Sequence, residues 1–222
     1  LTQHKTQLTA ANRAVLDTLA KRYEIIMAGA GNCKRIYKQM GEYPITILGN
    51  YGMAESRIVD GKFQIVREDK AQVDKKFFEK SCNYLRKKYG YTDFSGESLE
   101  YHESGMVTFG LLGTKAGKEA KLTFDPDKIK RRAMFPEVKE IFKDYSVFIG
   151  GTTSFDITPK QYNKLDAVLR YAAEHGYSFG QILFVGDDFA DGGNDSQIRL
   201  GGMDYIRIGD YTRLPEKLEF LF

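Results

Sequence analysis

Cysteine is scarce, with two in 222 residues. Cys33 and Cys82 cannot build a disulfide framework, so a reducing cytoplasm is the expected setting. No apolar run is long enough to span a bilayer, and the opening residues Leu1 to Lys5 are polar and basic rather than an apolar signal core. Neither membrane insertion nor secretion is therefore expected. A strong charge of one sign is missing too, since Lys and Arg exceed Asp and Glu by three. That excess is too small to imply nucleic acid, and it suits a phosphorylated small molecule if the positive groups cluster. Low-complexity segments and internal repeats are also absent.

What is present is a core-forming chain, 42% hydrophobic. Residues 7–22 place Leu8, Ala11, Val15, Leu16 and Leu19 at helical spacing after Thr6, a cap residue. Glu24 to Ala28 is a short continuous apolar run, as in a buried parallel strand. A glycine-rich turn and a short helix over 32–40 follow, then a second buried strand over 44–48. This alternation predicts an α/β sheet. From residue 56 the pattern changes. Asp60-Gly61 between two extended runs signals a hairpin. Residues 70–88 read as an amphipathic helix, 98–102 and 106–112 as antiparallel strands, and 127–143 as another helix. These make an α+β domain inserted into the first fold. The α/β pattern returns with a helix over 160–175, strands over 181–185 and 205–208, and a terminal helix over 215–222. The division expected is 1–67 core, 68–159 inserted domain, 160–222 core.

The most informative stretch is Leu183-Phe-Val-Gly-Asp-Asp-Phe-Ala-Asp-Gly-Gly-Asn-Asp195. An apolar strand ends in Gly186, and acidic residues follow at once. Ligands of open α/β sheets bind beyond the carboxyl ends of the strands. Asp187, Asp188, Asp191 and Asp195 therefore crowd one sheet edge, where unpaired carboxylates repel unless a cation joins them. Hard oxygen ligands beside phosphate favour Mg²⁺. Read without chemistry, the stretch is a solvated acidic loop with Asp195 capping a helix. A second stretch runs from Gly150 to Lys164, GGTTSFDITPKQYNK. Ser154 and Asp156 alternate along it and share one face, where a hydroxyl and a carboxylate can meet sugar hydroxyls. Lys164, near the next helix start, can set a positive charge beside a phosphoryl group, or it is one surface lysine among many.

GDD and GGND after an apolar strand, with GGTTSFDITP and Lys164 upstream, resemble the phosphomannomutase branch of the haloacid-dehalogenase (HAD) superfamily. The resemblance covers nearly the whole chain. It implies a Rossmann-like HAD core with a parallel sheet plus an inserted α+β cap domain of type IIB. It also implies Mg²⁺-dependent phosphoryl transfer on a phosphorylated hexose through a phosphoaspartate. Residue by residue, it implies catalytic roles for Lys164 and Asp187. It gives Asp187, Asp188 and Asp195 to the metal, and Lys5, Gly31, Asn32, Lys121, Ser154 and Asp156 to substrate. A small phosphorylated sugar is the implied partner, and a homodimer through the cap is a state the resemblance allows.

Three departures stand out. The family's nucleophile motif, DxDGT, occurs nowhere in the chain, which opens on Leu1-Thr2-Gln3-His4-Lys5 as if cut just after it. A further strand ending in that motif is expected upstream of Leu1. Gly31 stands where the family carries a phosphoryl-binding hydroxyl. The cap positions that hold a mutase's distal phosphate with arginines read His102, Thr114 or Lys115, and Lys121. These departures weaken a mutase more than a sugar-phosphate phosphatase. The alternative is a catalytically inactive sugar-phosphate binder of the same fold.

Overall fold

A computed structural model describes residues 6–222. The described chain divides into two compact units, one of residues up to Asp69 with Lys164–Phe189 and Asp195–Phe222, the other Lys70–Asn163 with Ala190–Asn194.

The first unit opens with α1 (Ala10–Leu19), capped by Thr9, whose side chain accepts from Asn12 N–H. The cap expected at Thr6 thus falls three residues later, where a hydroxyl faces the free N–H groups of the first turn. Val15 and Leu19 of α1 share a core cluster with Ile208, Leu214 and Leu218. Then come β1 (Ile26–Ala28), α2 (Cys33–Gln39), β2 (Thr46–Gly49), β3 (Ala54–Val59) and β4 (Lys62–Glu68). β1 and β2 are parallel, and β2, β3 and β4 follow antiparallel. Asp60 and Gly61 both take positive φ (50° and 72°), as a two-residue hairpin whose turn matches strand twist requires.

The second unit holds α3 (Lys75–Tyr89), β5 (Leu99–Tyr101), β6 (Val107–Gly110), α4 (Lys118–Thr123), α5 (Ile129–Ile141), β7 (Tyr145–Gly150) and β8 (Ser154–Pro159). Its antiparallel sheet runs β5-β6-β8-β7. Phe78, Cys82 and Leu85 of α3 and Met134 and Val138 of α5 bury one sheet face, built from Phe109, Ile149 and Phe155. Thr108 and Asp156 belong to the opposite face by strand alternation.

The chain then returns to the first unit with α6 (Lys164–His175), β9 (Phe184–Gly186), α7 (Ser196–Leu200), β10 (Tyr205–Arg207) and α8 (Leu214–Leu218). β9 and β10 are parallel and form a sheet of their own. The burial expected of the two parallel strands needs correction. Ile26, Met27 and Ala28 are only half-buried, and Leu183 and Val185 are 40% and 38% exposed. Among the described residues β1 pairs only with β2, and β9 only with β10, so each strand keeps one open edge. A strand open along one edge lacks the neighbour that would cover its side chains.

Candidate active site

The acidic loop is organised by a buried ion pair. Lys164, the first residue of α6, donates from Nζ to Asp195 Oδ1 at 2.6 Å, and both side chains are at least nine-tenths buried. The other oxygen, Asp195 Oδ2, accepts from the backbone N–H groups of Asp187 and Asp188, each at 3.0 Å. Asp195 N–H donates back to Asp188 O at 3.0 Å. Asp195 precedes α7, yet its side chain caps nothing in that helix. Gly186 makes the approach possible, because a Cβ there would lie 2.6 Å from Asp195 Oδ2. Burial alone would raise the Asp195 carboxyl, but the Lys164 charge and hydrogen bond, helped by the two N–H donors, hold it below the ordinary value. Arg199 Nε adds a bond to Phe189 O at 2.9 Å, tying α7 to the loop.

The carboxylates beside this pair differ in exposure. Asp187 is exposed and Asp188 is buried. Among the described residues no group of three or more His, Cys, Asp or Glu side chains is placed to hold a metal. Both Asp195 oxygens are engaged, and Asp187 and Asp188 follow β9 directly beside them. One or two carboxylates suit Mg²⁺, which keeps several waters and takes further oxygens from a phosphate. The donor set therefore fits that ion.

The turn after β1 is a second polar edge of the same unit. Gly31 O accepts from Asn50 N–H at 2.8 Å, and Gly29 O from Tyr51 N–H at 3.0 Å. Asn32 caps α2, its Oδ1 accepting from Arg35 N–H at 2.8 Å. The Arg35 guanidinium lies across Gly31, and a Cβ on residue 31 would fall 1.9 Å from one of its terminal nitrogens. The sequence reading missed Arg35, although an arginine four residues beyond a glycine is one helical turn away and can fold back over it. Lys5 lies outside the described residues.

The remaining predicted residues belong to the second unit. Ser154 Oγ donates to Gly150 O at 3.1 Å. Lys121 Nζ donates to Thr114 O at 2.9 Å. Asp156 Oδ1 accepts from Thr108 Oγ at 3.1 Å. The hairpin that carries Ser154 and Asp156 is clamped from below by Arg131, which is almost wholly buried. One terminal nitrogen of Arg131 donates to the carbonyls of Gly150, Gly151 and Ser154, while Nε and the other nitrogen bond Asp125. Burial would raise the Asp125 carboxyl, and the Arg131 hydrogen bond with two backbone N–H groups holds it low.

Comparison with known proteins agrees with this architecture. Residues 12–204 match the family described as eukaryotic phosphomannomutase, and the chain belongs to that family. This is a family of enzymes of the HAD phosphomutase and phosphatase type. The chain is 26% identical over 211 residues to a phosphomannomutase of Spinacia oleracea, covering 89% of this chain and 82% of that protein. It is 26% identical over 189 residues to a phosphomannomutase of Drosophila melanogaster, covering 80% and 73%. Among solved structures, an N-terminally truncated IMP-nucleotidase of Plasmodium falciparum superposes with a TM-score of 0.70 at 14% identity, over 99% of this chain and 66% of that one. A HAD-superfamily phosphatase of Bacteroides thetaiotaomicron gives 0.59 at 10% identity, over 100% and 90%. Those two likenesses establish the HAD fold. No helix among the described residues is long and apolar enough to cross a membrane.

Proposed function

We propose that the protein transfers a phosphoryl group to or from a phosphorylated hexose, with Mg²⁺ as cofactor and a phosphoaspartate as intermediate. The observation that carries this reading is the buried Lys164–Asp195 pair at the end of β9. A HAD-type transfer needs little covalent work beyond the attacking carboxylate, so fixed charge and position do most of the catalysis. Lys164 supplies a fixed positive charge whose direction is set by Asp195. Asp187 and Asp188 would hold the metal, which when bound offsets phosphoryl charge. Asp195 shapes that site by drawing in the N–H groups of both residues. Gly31, Asn32 and Arg35 offer the sugar phosphate backbone donors and a cation, and Ser154, Asp156 and Lys121 are the cap's polar contribution. The attacking carboxylate is assigned to no residue of this chain, since it contains no DxDGT.

The protein expressed from its natural gene, supplied with Mg²⁺, is expected to interconvert mannose 1-phosphate and mannose 6-phosphate or to release phosphate from one of them. Lys164→Met should lower that turnover by about 10²–10³-fold. Absence of both reactions, with hexose phosphate still bound, would replace the catalytic reading with that of an inactive binder.

A further inference from the structure

Between β2 and β3 the chain turns through three consecutive residues in the left-handed region. Asn50, Tyr51 and Gly52 take φ of 48°, 57° and 89°. Glycine adopts that conformation freely and asparagine visits it, but a bulky side chain there is an outlier. Tyr51 is nevertheless wholly buried. Strain of this kind persists only where the surroundings fix it, and it gathers at functional sites.

The turn is fixed from both sides. On one side Asn50 N–H donates to Gly31 O at 2.8 Å and Tyr51 N–H to Gly29 O at 3.0 Å. A Cβ on Gly49 would lie 2.9 Å from Gly31 O, so the end of β2 runs tight against that loop. On the other side Arg67 donates to Gly52 O at 3.3 Å, and Arg170 of α6 donates to the same oxygen. A Cβ on Gly52 would collide with the Cβ of Ala167. The turn is thus a strut, anchored on α6 and holding the loop after β1.

What the strut does to that loop follows from peptide geometry. In a planar trans peptide the carbonyl of one residue and the N–H of the next point in opposite directions. The Gly29 and Gly31 carbonyls meet the turn, so the N–H groups of Ala30 and Asn32 face away from it. Neither donates to another described residue. Two donors on one side of a loop call for an acceptor, and phosphoryl oxygens are strong ones.

We propose that the Asn50–Gly52 turn is a positioning element of the phosphoryl site, with Asn50 as its positioning residue. By pinning two carbonyls it aims the Ala30 and Asn32 N–H groups at phosphoryl oxygens. The left-handed preference of Asn50 is what lets both pins form. This rests on the sugar-phosphate reading above and deepens it.

The test measures calorimetric binding of inorganic phosphate and of mannose 6-phosphate to the full protein with Mg²⁺, beside turnover of mannose 6-phosphate. Asn50→Ala keeps every backbone N–H and removes the left-handed preference. It should weaken both ligands about fivefold, and alike, because the contact is with the group they share. Asn50→Gly restores the conformation without a side chain and should bind both as wild type does. Asp60→Ala removes the same preference in the β3–β4 hairpin and should lose stability with no change in binding. Should Asn50→Ala not fold, Asn50→Ser takes its place and is read the same way. Unchanged binding in the Asn50 variant would overturn the proposal. So would weakening in Asn50→Gly, weakening in Asp60→Ala, or a loss confined to mannose 6-phosphate. If wild type binds both ligands and turns over nothing, the catalytic reading fails by itself and the binding comparison still decides. Wild-type protein that binds neither ligand overturns the proposal.

Discussion

Each of the two units holds an ion pair with both partners buried, and the organising charge has opposite sign in the two. In the first unit Asp195 is the hub, gathering an ammonium and two backbone N–H groups. In the second the hub is Arg131, gathering three backbone carbonyls along with Asp125. The difference follows from what each turn leaves unpaired. Where the chain leaves β9 at Gly186, it turns the N–H groups of Asp187 and Asp188 inward, and only an acceptor can satisfy them. Where β7 turns into β8, the carbonyls of Gly150, Gly151 and Ser154 point inward, and only a donor can. Buried backbone groups must be paired, so turn geometry selects the sign of the buried side chain. Lysine is enough for the first hub because one oxygen needs one donor. The second needs the five N–H groups of a guanidinium.

The sharpest way to break this comparison is to remove the cationic hub. Arg131→Met should cost about 5 kcal/mol, because it takes the cation from a buried carboxylate and a shared donor from three carbonyls at once. The loss should show in urea unfolding, and hydrogen exchange should locate it in the second unit. Adding Asp125→Leu should recover part of it, since the stranded charge goes too. Lys164→Met should cost less in stability, about 3 kcal/mol, because it takes the cation from one carboxylate and the donor from no carbonyl. If the two variants cost the same, the number of groups gathered by each hub is not what matters.

Some of this was legible in the sequence and some was not, for physical reasons. The Asp187–Asp195 loop was readable because its chemistry is local, nine residues after an apolar strand. Lys164 was readable as a positive charge near a helix start. Sequence spacing cannot say which lone pairs are already used, and so it could not show both Asp195 oxygens bonded within the chain. Arg131 gave no signal, because its acceptors are backbone carbonyls nineteen to twenty-three residues further on. The Thr108–Asp156 hydrogen bond depends on a strand register that joins residues 48 apart. Periodicity places each residue on a face and leaves its neighbour across the sheet unspecified.

Acid should reveal what the two hubs share. Asp195 and Asp125 are both held below the ordinary carboxyl value. A carboxyl depressed in the folded state contributes stability that is fully present above the unfolded value, about pH 4, and is lost as pH falls through the folded value. Urea midpoints should therefore be flat with respect to these groups above about pH 5 and fall below about pH 4. Asp195→Asn should be less stable at neutral pH and have a shallower acid slope. An unchanged slope would show that Asp195 is not depressed by Lys164.

The smallest effects should come from the helix caps, and they separate the units by consequence rather than by size. Asn32 caps the seven-residue α2, and Asp74 caps the fifteen-residue α3, each accepting an N–H three residues on. Asn32→Ala and Asp74→Ala should each cost about 1 kcal/mol in thermal or urea unfolding. α3 has other end supports, with Gly90 in the left-handed conformation at its C-terminus and Arg86, Lys87 and Lys88 in its last turn, where they favour the helix dipole. Its loss of a cap should stay a loss of stability. α2 has two turns and carries Arg35 over Gly31, so fraying its first turn loosens the cation that the proposed phosphoryl site uses. Asn32→Ala should therefore also weaken inhibition of turnover by inorganic phosphate, by about threefold to tenfold, while Asp74→Ala leaves it unchanged. Equal inhibition in both variants would mean that Arg35 does not meet the phosphate.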